Sequence, residues 1–126
     1  MKGSKFRAWN VREKRMYYAT PYRGYIKSND SWWEIYNGDD VVVASSAHDD
    51  KLMQYTELKD INEAEVYEGD IVKHNGNMKS LIKFIEEEAG FKLINKTLGM
   101  MHISKEYFER YEEIVGNIYE NPELLK

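Results

Sequence analysis

The chain has 126 residues, 42% of them hydrophobic and 32% charged, and it contains no cysteine. That length suits one compact domain with a core of its own, and the missing thiols exclude sulfur nucleophiles, disulfide frameworks, zinc knuckles and iron–sulfur sites. Net charge is −4, but residues 1–27 hold eight Lys/Arg against Glu13 alone, a net +7, which leaves −11 for the remainder.

Residues 5–9 and 15–19 are short aromatic-rich segments joined by the polar stretch 10–14, which predicts a β-hairpin. Thr20-Pro21 ends its second strand. Ser31–Tyr36 has strong strand propensity, and Asn37-Gly38 turns the chain into VVVASS, a second hairpin. Ala47–Lys51 reads as a polar loop before the strand LMQYTEL. A turn over 59–65 is the best internal seam, dividing an N-terminal hairpin region, 1–56, from a second part, 57–126, within a single domain. Short strands then recur at 66–69, 70–73, 79–85 and 91–95, with turns at 74–77 and at the acidic run before Gly90. One helix is predicted over 105–113, with Ser104 as N-cap and Tyr107, Phe108 and Tyr111 as its apolar stripe. Gly116 then stops or bends the chain, 117–119 forms a last strand, and Asn121-Pro122 opens a closing turn. The fold class expected is mainly β with one short α-helix: an N-terminal hairpin region packed on a small SH3-like barrel or a bent antiparallel sheet.

No apolar leader occurs in residues 1–10, and the longest apolar run, Val41–Ala44, is far below the roughly 20 residues of a membrane span. A cytoplasmic protein of a bacterial host, with no membrane partner, is the expectation.

Chemistry is sparse. His48, His74 and His102 are scattered and show no metal-ligand spacing, so they read as exposed or locally hydrogen-bonded. The carboxylate groups Asp39-Asp40, Asp49-Asp50 and Glu86–Glu88 all fall in turns and read as solvated. No nucleophile elbow, Gly-rich phosphate loop or other catalytic constellation is found, and no cofactor or metal is expected. What remains is interleaved basic and aromatic sequence. Arg7, Trp9, Arg12, Arg15, Tyr17 and Arg23, together with the Trp32-Trp33 pair, are the candidate surface for a host or phage protein, for a second copy of the chain, or for single-stranded nucleic acid. The bland reading is a set of strands with Tyr rings packed inward and cations outside, and +7 complemented by −11 within the chain or between subunits.

Four segments in order, KFRAW (5–9), MQYTELKD (53–60), VYEGDIV (66–72) and VGNIYENPELL (115–125), resemble the YopX family of small proteins encoded by phages and prophages of Gram-positive bacteria. Members commonly read YTGLKDKNGKEIYEGD where this chain reads YTELKDINEAEVYEGD, so both family glycines are replaced, by Glu57 and Glu63. The resemblance implies no assigned activity, cofactor or catalytic residue. It points to an accessory protein that binds a host or phage component. Gly69 is expected to supply a positive φ, and Asp70 to hydrogen-bond the turn backbone.

Overall fold

The structure is a computed structural model and describes residues 5–74 and 76–126. Lys2, part of the basic segment, and Asn75, part of the turn expected at 74–77, lie outside the described residues. The chain divides into two compact units, Met1–Tyr55 and Thr56–Lys126. Both are built mainly of antiparallel strands, and the only α-helix among the described residues is short.

In the first unit, β1 (Phe6–Asn10) and β2 (Arg15–Ala19) form the expected hairpin, with Ala8 opposite Tyr17 and Trp9 opposite Met16. The turn between them is held by Asn10, whose Oδ1 accepts from the backbone N–H groups of Arg12 and Glu13 (3.0 and 2.9 Å). A three-stranded sheet follows, β3 (Gly24–Ser28), β4 (Trp33–Asn37) and β5 (Val42–Ser45), in the order β3-β4-β5. Strand β3 was not expected, because a leading glycine and only one aliphatic residue give it a weak signal. Apolar side chains from these strands meet in one core, Phe6, Ala8, Ala19, Ile35 and Ala44, with Ile26, Trp33, Val43 and Leu52 packed against it.

The loop expected over 47–51 is shorter than that. A 3-10 turn at Ser46–His48 leads through Asp49 and Asp50 into β6 (Lys51–Lys59), whose first half pairs with β1. Asp50 does not project into solvent as the sequence reading held: it is buried, and its two oxygens accept from Val11 N (2.9 Å) and Ser45 N (3.0 Å). Two backbone N–H groups that lack a strand partner are satisfied this way, and so a carboxylate is tolerated inside.

Past Tyr55, β6 enters the second unit and lies beside β7 (Glu65–Tyr67), with Thr56 Oγ1 donating to Val66 O (2.7 Å). Then β8 (Asp70–His74), β9 (Met78–Ile85), β10 (Gly90–Asn95), β11 (Gly99–Met101), α1 (Lys105–Tyr111) and β12 (Glu112–Asn117) complete the unit. Its five-stranded bent sheet has the order β11-β10-β9-β8-β12. Leu58, Val66, Val72, Ile82 and Leu93 pack with Phe108 of α1. Burying Phe108 contributes about 2 to 3 kcal/mol and fixes the helix, which at seven residues is too short to persist alone.

Three boundaries differ from the sequence reading. Strand β11, Gly-Met-Met, carries little strand signal. The helix ends at Tyr111 rather than residue 113 because Glu112 turns extended and pairs with His74 across the β8–β12 ladder. Gly116 lies within β12, at a bulge, and the strand ends at Asn117. Two details hold as expected: Gly69 has φ of 91°, and Asp70 Oδ2 accepts from Tyr67 N at 2.7 Å.

Gly24 shows how tightly the first unit is assembled. A Cβ there would stand 2.2 Å from the backbone oxygen of Tyr36, whereas one on Gly38 would meet nothing within 4 Å. Gly24→Ala is therefore expected to cost about 2 to 3 kcal/mol, and Gly38→Ala less than about 0.5. Urea unfolding of the two variants side by side checks this.

Candidate functional site

All eight candidate surface residues belong to the first unit. Arg12, Arg15, Arg23 and Trp32 are exposed, Trp9, Tyr17 and Trp33 are half-buried, and Arg7 is buried at 3% exposure. They do not form one continuous basic aromatic face. Arg15 lies over the Tyr17 ring (5.1 Å) and Arg23 over Tyr18 (4.8 Å), and neighbouring residues of a strand point to opposite sides.

A further aromatic group lies on the outer face of the three-stranded sheet. Tyr25 and Tyr36 are cross-strand partners and stack at 4.9 Å with planes 3° apart, and Lys27 sits over Tyr36 at 5.0 Å. Each hydroxyl donates to a carboxylate: Tyr25 to Asp40 (2.8 Å), Tyr36 to Glu34 (2.9 Å) and, on the hairpin, Tyr17 to Glu13. Those hydrogen bonds raise the pKa of all three phenols above the ordinary tyrosine value, so they remain donors. The rings and cations that looked like a ligand surface in sequence are thus largely occupied with one another. By unit, moreover, the charge separation is milder than by segment: the first unit has nine Lys/Arg against seven Asp/Glu, the second nine against fifteen.

Trp32 is different. It is 41% exposed on a tight turn in which Asn29 Oδ1 accepts from Ser31 N (2.8 Å), Ser31 Oγ (3.2 Å) and Trp32 N (3.0 Å), while Asn29 N donates to Trp32 O (2.9 Å). Trp33 turns inward against the core, and its backbone N–H donates to Ser46 Oγ (3.0 Å). Both indoles border a groove of about 550 Å³ walled by Ser28, Asp30, Ser46 and Leu52. An exposed indole on a hydrogen-bonded turn presents a large apolar surface at a low entropy cost at contact.

The second unit holds a cluster that sequence reasoning missed. His74 Nδ1 lies 2.8 Å from Glu112 Oε2, and His74 Nε2 lies 3.1 Å from the Tyr107 hydroxyl. Tyr107 stacks on the imidazole at 5.3 Å, and Tyr111 meets it edge-on at 5.9 Å. Glu112 is only 4% exposed. Burial pushes its carboxyl above the ordinary glutamate range, with His74 opposing that shift. Only the register pairing of Glu112 with His74 brings the two together. Nothing in the local sequence signals it.

The other candidate groups do not converge. His48 is exposed, and His102 Nδ1 meets Lys92 Nζ at 3.0 Å. Asp49 points outward while Asp50 is committed to backbone, and Glu86–Glu88 form an exposed 3-10 turn. Among the described residues no cluster of three or more His, Asp or Glu could hold a metal ion, and no helix is long and apolar enough to cross a membrane.

The family model described as YopX protein matches residues 5–126. The chain belongs to the YopX family. Its fold is similar to that of protein EF1440 from Enterococcus faecalis, with 25% identity, a TM-score of 0.67 and 97% of each chain covered. It is similar also to protein yopX from Bacillus subtilis, at 17% identity and a TM-score of 0.66, covering 98% of this chain and 96% of the other. No curated protein matches it. The resemblance read from four short segments is therefore a family membership over nearly the whole length of this YopX chain.

The Glu112 carboxyl supplies a test of the buried cluster. Its folded-state pKa is raised, so its contribution to stability is present at low pH and is lost as pH rises through the folded value. Relative to Glu112→Gln, which does not titrate, the wild type is expected to lose stability from the ordinary glutamate value of 4.5 upward. Thermal melts of both proteins at acid and neutral pH measure the difference. A wild type that instead gains on the variant would mean that the His74 ion pair outweighs burial.

Proposed function

We propose that this YopX-family protein is a non-catalytic contact module, an accessory protein of a phage or prophage in its bacterial host, and that Trp32 is the anchor of its contact surface. The observation that carries this reading is the pre-organised turn that holds Trp32 exposed beside its groove. Aromatic anchors in rigid settings dominate contact energies, whereas the catalytic alternative needs carboxylates that converge on one pocket. A second copy of the chain is the partner supported by charge, since a slightly cationic first unit and an anionic second unit attract between molecules.

Single-stranded nucleic-acid binding is a second reading, favoured by the exposure of Arg12, Lys14 and Arg15 on one hairpin. It requires salt-sensitive oligonucleotide binding that Arg12→Glu and Arg15→Glu weaken. Arg7, a candidate surface residue on sequence grounds, is buried, so its substitution is the poorer test.

Sedimentation of the intact protein up to high micromolar concentration, with and without added salt, tests the contact reading. Salt-weakened self-association that Trp32→Ala reduces at least about tenfold is the expected result. A strict monomer removes the second copy as partner, and association unchanged by Trp32→Ala removes Trp32 as the anchor. No binding of an oligothymidylate at about 50 mM salt is expected.

A further inference from the structure

The hairpin of β9 and β10 carries opposite charge at its two ends. At the closed end, Glu86, Glu87 and Glu88 form the exposed 3-10 turn that joins the strands. At the open end, where β9 starts and β10 stops, lies a half-open groove of about 430 Å³. Its cations are Lys79, Lys96 and Lys126, and Leu98, Leu124 and Leu125 give it an apolar wall. Among the described residues no carboxylate side chain lines it.

Cross-strand register concentrates the positive charge. Lys79 stands directly opposite Lys73, and Glu113 lies on the far side of Lys73, on β12. Like charges placed opposite one another destabilise a strand pair, a cost that an anion from outside would offset. Among the described residues, Lys79, Lys96 and Lys126 have no ion-pair partner, and neither do the three glutamates of the hairpin tip. Other acidic groups of the unit are engaged: Glu109 accepts from Lys59 N (2.8 Å), Glu113 from Asn62 Nδ2 (3.4 Å), and Asp60 and Asp70 from turn backbone. The tip is thus where unengaged carboxylates stand side by side, and its charge is complementary to that of the groove.

A tip cannot reach the groove of its own hairpin, since the eight residues of β9 separate them by about 26 Å at roughly 3.3 Å per residue. Two-fold pairing that set tip on groove twice would bring Lys83 near the axis, on the face of β9 that Lys79 shares, together with Lys92 directly opposite it, against their own copies. Head-to-tail contact avoids that repulsion.

We propose that copies of this chain associate head to tail through the second unit, the Glu86–Glu88 tip of one seated in the groove of Lys79, Lys96 and Lys126 on the next. Phe84 beside the tip, 39% exposed, supplies an aromatic anchor for Leu98 of the groove, 60% exposed. A contact between two different patches leaves a tip and a groove free at the ends of an open assembly, so growth continues past the dimer. The partner is the one that the contact reading names, a second copy, but no residue of the first unit takes part and the contact is separate from Trp32.

Sedimentation of the full-length Trp32→Ala chain at low salt isolates this contact, and species larger than a dimer that grow with concentration are expected. Reversing the tip (Glu86→Lys with Glu88→Lys) or the groove (Lys79→Glu with Lys96→Glu) in that chain should weaken association at least about tenfold each. An equimolar mixture of the two reversed proteins should restore it, because lysine tips then meet glutamate grooves and glutamate tips meet lysine grooves. Amide chemical shifts that change on association should centre on 84–89, 77–79 and 96–98. Reversed variants that associate as before, a mixture no tighter than its components, shifts centred elsewhere, or growth that ends at a dimer would overturn the proposal. A strictly monomeric Trp32→Ala chain would overturn it too while leaving the Trp32 contact in place. A Trp32→Ala chain that associates as the wild type does, and loses this on charge reversal, removes Trp32 as anchor and supports the tip and groove.

Discussion

Every compact unit of this chain depends on side-chain oxygens of Asp and Asn accepting backbone N–H groups where strands end. Asp60 is the central case. Its Oδ1 accepts from Asn62 N (2.8 Å) and Ala64 N (3.0 Å), closing the turn between β6 and β7, and its Oδ2 accepts from Ile114 N (3.0 Å) in β12. One buried carboxylate thus ties a turn to a strand more than 50 residues away. Removing it would leave three donors without partners, each worth about 1 to 3 kcal/mol when buried. Asp50 does the same for the first unit, and Asn10, Asn37, Asn95 and Asn117 each accept from the N–H groups of the turns that follow them.

That constraint explains why a chain of short strands holds its register. Most strands here run three to six residues, too short for ladder hydrogen bonds alone to specify pairing. A side chain that closes the turn decides where one strand stops and the next begins, and the apolar alternation then has one way to face inward. It also accounts for the carboxylates in the sequence. Several of them, Asp50, Asp60 and Asp70 included, are interior framework, and this leaves fewer acidic groups for chemistry than the composition suggests.

Elements with strong local signals were legible in the sequence. The first hairpin, the Asn37-Gly38 turn, the strand over LMQYTEL and the helix beginning at Lys105 follow from turn chemistry and periodicity within a few residues. Strands β3 and β11 were not, because Gly24 and Gly99 at their starts read as breakers, and only pairing with β4 and β10 makes them extended. The site divides along the same line. Basic and aromatic residues were visible as a composition, yet cross-strand register decides that Lys27 covers Tyr36 and that Tyr25 reaches Asp40. The His74–Glu112 pair was invisible, since its members are 38 positions apart and Glu112 continues the helical pattern of its neighbours.

The two positions where the chain lacks a glycine of the common family pattern carry the same lesson. Glu57 and Glu63 stand where members commonly have glycine, and both keep the left-handed backbone, with φ of 68° and 65°. The conformation is retained without the residue that adopts it most easily, at a cost of about 1 to 2 kcal/mol for each. Local hydrogen bonds bracket both sites. Thr56 Oγ1 donates to Val66 O and accepts from Leu58 N, enclosing Glu57, while Glu63 N donates to Asp60 O (2.9 Å) inside the turn that the Asp60 carboxylate closes. What the fold demands at these two places is therefore a backbone angle and a set of filled acceptors. Glycine is one way to meet the first condition, and buried Thr56 and Asp60, by meeting the second, let glutamate stand in its place.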